Sequence, residues 1–84
     1  MKPKRNERYY LVEKDDKLYL YDSEFNELIE LDELLMLVWL LSDGLKTKEE
    51  IAKILKEEFE IENSEEIVKE ALEILRENNL IIFN

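Results

Sequence analysis

Eight successive apolar residues, Leu34 to Leu41, stand between Asp32-Glu33 and Ser42-Asp43-Gly44 in a chain of 84 residues. A helix that is apolar on every side cannot lie on a surface and has to be enclosed. Spanning a bilayer takes about 20 such residues, so the enclosure must come from the rest of the chain. A domain of this size buries only roughly 60% of the surface its unfolded chain exposes, which makes this run the centre of a thin core. Asp32 is a good N-cap for it. Gly44 can take the left-handed conformation that ends a helix, which predicts a helix from Asp32 to about Leu41. A sharper alternative gives one face, with Met36 or Trp39, to a partner enzyme or to a second copy of the chain in a homodimer.

The flanks differ in period. Tyr9–Glu13 and Lys17–Tyr21 are aromatic and aliphatic, and the polar Lys14-Asp15-Asp16 between them reads as a hairpin turn. Leu18 and Leu20 alternate with Lys17, Tyr19 and Tyr21, the period of a half-buried strand. The four hairpin tyrosines resemble a base-stacking platform, but no basic groove accompanies them, and cross-strand pairing is the better reading. After the turn Asp22–Asn26, Glu27-Leu-Ile-Glu-Leu31 supplies a third strand. Beyond Gly44, Thr47-Lys-Glu-Glu50 is a capping box, and Ile51, Ile54, Leu55 and Phe59 mark one face of a second helix. Asn63 or Ser64 caps a third helix with a broad stripe of Ile67, Val68, Ala71, Leu72, Ile74 and Leu75. Asn78-Asn79 ends it, and Leu80–Phe83 is a short strand or tail. The fold class is therefore α+β: a three-stranded antiparallel meander, three helices and a closing segment.

Charge narrows the function. The formal net charge is −10. Residues 1–8 hold Lys2, Lys4, Arg5 and Arg8 against Glu7, which leaves −13 on the remainder. The basic stretch 1–8 reads as a disordered arm, with residues 9–84 as the folded domain. A body this acidic repels phosphate backbones and favours apolar or basic partners. With no cysteine and no histidine, no disulfide, thiolate nucleophile or common metal set is available. The acidic runs Glu57–Glu62 and Glu65-Glu66 read as solvated helix faces. No nucleophile–base pair or phosphate loop can be assembled, so neither catalytic residues nor a cofactor are expected. The start lacks the apolar stretch of a signal peptide, and a cytoplasmic protein is the expectation.

The order of these elements resembles a known family. An apolar helix ends in Val38-Trp39-Leu40-Leu41 and is followed by Ser42-Asp43-Gly44. Then come Lys46-Thr47-Lys48-Glu49-Glu50-Ile51 and a third helix closing with Leu75, Asn79 and Leu80-Ile81. This pattern, across residues 9–83, resembles the PqqD-like family, the recognition elements for ribosomally made precursor peptides (RiPPs). Many relatives carry Asn where Asp32 stands, and either side chain caps a helix. The resemblance implies a winged-helix-like, non-catalytic domain. It also implies that a leader peptide binds as an added strand along the third strand, in a groove beside the third helix. The partner would be a modifying enzyme such as a radical SAM maturase or a lasso-type leader peptidase.

Strand addition suits an exposed sheet edge. The expected peptide-binding surface is Glu27, Leu28, Ile29, Glu30 and Leu31 on the strand. On the helix it is Lys69, Leu72, Glu73 and Arg76, spaced i, i+3, i+4, i+7. Lys69, Glu73 and Arg76 could equally be ordinary surface charge pairs. Two competing functions remain. One is a DNA-binding winged helix, disfavoured because Glu65, Glu66, Glu70, Glu73 and Glu77 outweigh Lys69 and Arg76 on the third helix. The other is a scaffold subunit that binds no peptide.

Overall fold

The computed structural model describes residues 1–83. Its elements in chain order are β1 (Pro3–Arg5), β2 (Tyr9–Lys14), β3 (Lys17–Asp22), β4 (Glu27–Ile29), α1 (Glu33–Leu41), α2 (Lys48–Phe59), α3 (Ser64–Glu77) and β5 (Ile81–Phe83). Strands β2, β3 and β4 form the antiparallel meander. The turn Asp15-Asp16 carries both residues at positive φ, 53° and 64°, the backbone twist that suits a two-residue hairpin. Tyr10 sits directly opposite Tyr21, with ring centroids 5.2 Å apart, so these tyrosines are a cross-strand pair.

The apolar run packs on the core but is not enclosed on every side as expected: Leu35, Leu37 and Leu41 are partly buried, and Leu34 and Leu40 are exposed. Asp32 caps α1 by accepting from the amide of Leu35 at 2.8 Å. Met36, Val38 and Trp39 are buried; Met36 and Trp39 are core residues, and the alternative that gave them to a partner is overturned. Thr47 and Glu50 close the capping box of α2 reciprocally. Ile51 and Leu55 from α2 join Val68, Ala71, Leu72 and Leu75 from α3 in the same core, and Leu20 and Tyr9 reach it from the sheet. Asn79 takes the left-handed position, φ 60°, just beyond α3. The cap of α3 departs from expectation: Asn63 occupies the N-cap position but its side chain makes no capping hydrogen bond.

The larger difference is at the N-terminus. Residues 1–8, expected as a disordered arm, contain a strand. β1 pairs with β5 in a separate two-stranded sheet, Pro3 opposite Phe83 and Arg5 opposite Ile81. The loop after α1 holds it from the other side: the amide of Gly44 donates to the Pro3 carbonyl at 2.8 Å, and that of Arg5 to the Ser42 carbonyl at 2.9 Å. Pro3 is fully buried, and the Arg5 guanidinium lies 5.6 Å from the Trp39 ring. The charges misled because long basic side chains lay apolar stems on a core and keep only their heads in water. An apolar C-terminal segment needs a strand partner, and β1 supplies it.

Arg8 does structural work as well. Its Nε donates to Oδ1 of Asp22 and its Nη2 to Oδ2, both at 2.8 Å. The amides of Glu24 (2.9 Å) and Phe25 (3.2 Å) also donate to Oδ1. The bidentate hydrogen bonds from Arg8 hold the Asp22 carboxyl down at about 2, and the two turn amides act in the same sense, against the upward push of burial. A depressed carboxyl stabilises the fold fully above its unfolded value of 3.8, and that contribution fades as pH falls toward 2. Asp22→Asn should therefore lower stability at neutral pH and flatten the acid limb. Denaturation midpoints measured from pH 6 to pH 2 check this; parallel curves for the two proteins would refute it.

Candidate peptide-binding edge and groove

Both outer strands of the meander, β2 and β4, have an edge without a neighbouring strand. Backbone phase decides which groups β4 offers. A two-residue turn makes its flanking residues, Lys14 and Lys17, a hydrogen-bonded pair, and such pairs recur at every second residue. β3 therefore turns Leu20 and Asp22 toward β4, where they meet Ile29 and Glu27. Leu28, and Glu30 just past the strand, point amide and carbonyl outward. The Leu28 side chain is 44% exposed on the sheet face away from the helices, beside Tyr21. Glu30 pairs with Lys17 at 2.6 Å on that face, while Ile29 and Leu31 pack against the core.

The chain leaves β4 through Leu31 directly into a groove of about 400 Å³. Asp32, Glu33, Leu34 and Leu35 line it on one side, and Ile67, Glu70, Ala71 and Ile74 of α3 on the other. Its floor is apolar, and its only charges are the carboxylates of Asp32, Glu33 and Glu70. Leu34 and Ile74 are 39% and 45% exposed, so both present apolar surface to the groove.

The expected site residues divide between two places. Glu27, Leu28, Ile29, Glu30 and Leu31 form the free edge and the lead-in to this groove. Lys69, Leu72, Glu73 and Arg76 do not face it. They line a different cavity, of about 460 Å³, together with Thr47, Lys48 and Glu49 at the start of α2 and Phe83 of β5. There the Arg76 guanidinium lies 5.8 Å from the Phe83 ring, and Leu72 is buried. At 100° per residue, the 69/72/73/76 and 67/70/71/74 stripes fall on well-separated sides of α3. Groove residues outside the expected set include Leu34, Leu35, Ile67, Glu70 and Ile74. One signal for them was present: the apolar stripe of α3 is wider than one core contact requires, and Ile67 and Ile74 are its spare edge.

Among the described residues no cluster of three or more His, Cys, Asp or Glu side chains is arranged to hold a metal, and no helix is long and apolar enough to cross a membrane. The fold and the open edge define a small α+β domain of winged-helix type whose meander ends in an unpaired strand beside an apolar groove. The family model for coenzyme PQQ synthesis protein D (PqqD) matches residues 17–81, and the chain belongs to the PqqD family. A comparison with curated proteins returned no match. Two solved structures share the fold. One is a lasso peptide synthetase B1 complexed with the leader peptide, with TM-score 0.76 and 18% identity over 98% of this chain and 99% of that one. The other is TbiB1 in complex with the TbiA(beta) leader peptide, with TM-score 0.72 and 21% identity over 93% of each chain.

Proposed function

We propose that the protein is a non-catalytic cytoplasmic module that binds the leader segment of a ribosomally synthesised precursor peptide and delivers it to a modifying enzyme. The observation that carries this is the edge of β4. Leu28 and Glu30 turn unpaired backbone groups outward at the mouth of a groove with an apolar floor and a wholly acidic rim. A peptide added there as a strand takes affinity from the backbone groups and specificity from alternate side chains. The groove selects the leader: an aliphatic or aromatic anchor between Leu34 and Ile74, with Lys or Arg beside it to meet Glu33 and Glu70. Tethering the leader raises the effective concentration of the attached core segment at the enzyme. Family membership supports this reading. So does the fold shared with two proteins solved with leader peptides; the modifying enzyme is a radical SAM maturase or a lasso-type leader peptidase.

The test is titration of a fluorescent synthetic peptide carrying an aliphatic or aromatic anchor flanked by Lys or Arg, followed by amide shifts. Shifts should concentrate at residues 27–35 and 67–74, and their absence there would sink the groove assignment. Ile74→Glu should weaken binding at least about tenfold, since it places a carboxylate where an apolar anchor would be buried. Its side chain is 45% exposed, so stability should barely change. A nucleic-acid role would require duplex DNA to bind a protein of net charge −10; an electrophoretic shift at low salt would displace the present reading.

A further inference from the structure

The meander has a second open edge, β2. Exposed edge strands are usually blunted by charge, proline, a bulge or a covering element. From Tyr9 to Val12 β2 has no charge and no proline, and it pairs one-to-one with β3 along its whole length, without a bulge. Tyr10 and Leu11 are 50% and 40% exposed. Since Lys14 and Lys17 are a hydrogen-bonded pair, the even residues of β2 serve β3, and Leu11 and Glu13 turn amide and carbonyl outward.

We propose that β2 pairs with β2 of a second copy of this chain, antiparallel about a two-fold axis at Val12, giving one sheet of order β4-β3-β2-β2-β3-β4. Val12 then faces its own copy, and Leu11 exchanges backbone hydrogen bonds with Glu13 of the other chain. Tyr10 lies opposite Lys14, whose ammonium reaches the Tyr10–Tyr21 ring pair. No two like charges stand opposite one another. Shifting the axis to Leu11 would set Tyr10 against Val12 and lose the contact between Tyr10 and Lys14, which selects the Val12 register. The occupant is a second copy because one strand supplies both halves of this complementarity, as an isologous contact requires. Both β4 edges stay free at the far ends, so the dimer and the peptide site stand or fall separately.

The chain has no cysteine, which allows a direct test. Residues facing each other in a non-hydrogen-bonded antiparallel pair have Cα atoms about 4.5 Å apart, within disulfide reach. Val12→Cys should therefore form a disulfide-linked dimer under mild oxidation. Leu18→Cys, 42% exposed on β3, should remain monomeric. Sedimentation of the unmodified protein at about 1 mM, in about 0.5 M salt to screen the repulsion between acidic bodies, should show twice the 10.2 kDa chain mass. Leu11→Pro removes an outward donor and no bond to β3, so dimerisation should weaken at least about tenfold with leader binding unchanged. Should that variant lose its far-UV circular dichroism, Leu11→Lys makes the same test. A single 10.2 kDa species throughout, or equal cross-linking of both cysteine variants, would overturn the dimer. Loss of leader binding in a variant that still dimerises would count against the peptide site instead.

Discussion

Leu28→Pro should weaken leader binding at least about tenfold and leave the fold intact, whereas Ile29→Pro, one residue along, should damage the fold. The contrast rests on backbone phase. The Leu28 amide points away from β3, so a proline ring there removes a donor that only an added strand would use. The ring also projects into that strand's path. Proline is tolerated at such edge positions. Each backbone hydrogen bond denied to the peptide is worth roughly 1 kcal/mol, and stranding its acceptor costs about 1–3 kcal/mol more. A loss of at least tenfold in affinity is expected. Ile29 is paired with Leu20 and packs against the core. Proline there breaks a ladder bond and displaces a core side chain, at roughly 1–3 kcal/mol of stability. Leader titration and urea unfolding on both variants separate the outcomes. Full binding by a folded Leu28→Pro protein would rule out strand addition at this edge.

Trp39→Ala should be among the most destabilising single substitutions in this chain, at about 3–5 kcal/mol. Trp39 is buried, and its indole Nε1 donates to the Leu80 carbonyl at 2.9 Å. Its ring also supports Arg5 of β1. One side chain thus ties the central helix to the terminal strands. Truncating a buried tryptophan to alanine costs about 3–5 kcal/mol, against a total of roughly 4–13 kcal/mol for a domain this size. Trp39→Phe keeps most of the packing and loses only the indole hydrogen bond, about 0.5–1.5 kcal/mol, because the Leu80 carbonyl still accepts from the Asn6 amide at 3.1 Å. That should lower the melting temperature by about 2–10 °C. Thermal unfolding followed by circular dichroism measures both. An unchanged Trp39→Phe midpoint would mean that the indole hydrogen bond adds nothing.

Local patterns in the chain carried most of the architecture. The Asp15-Asp16 turn, the Asp32 cap, the Thr47–Glu50 capping box and the left-handed Gly44 and Asn79 are decided within a few residues of one another. Each appears where its local chemistry puts it. The site was only half legible. Glu27–Leu31 could be read as a strand because alternation is local. That β4 has a free edge, with Leu28 and Glu30 pointing outward, depends on its register against β3.

The apolar run Leu34–Leu41 shows where the division falls. Composition alone determined that this helix must pack on the core, because no orientation of an all-apolar cylinder suits water; only the structure showed that Leu34 and Leu40 stay exposed. Composition also determined that an acidic chain without cysteine or histidine suits apolar or basic partners. Only the tertiary structure decided which side of α3 faces the strand edge. The rotation of a helix about its axis is set by packing, and an apolar stripe as wide as 67/68/71/72/74/75 permits more than one. Packing buried Val68, Ala71, Leu72 and Leu75, turned Ile67, Glu70 and Ile74 to the groove, and carried Lys69, Glu73 and Arg76 to the other cavity. It likewise drew the basic N-terminus into a strand, because its partner lies at the opposite end of the chain, where no local pattern reaches.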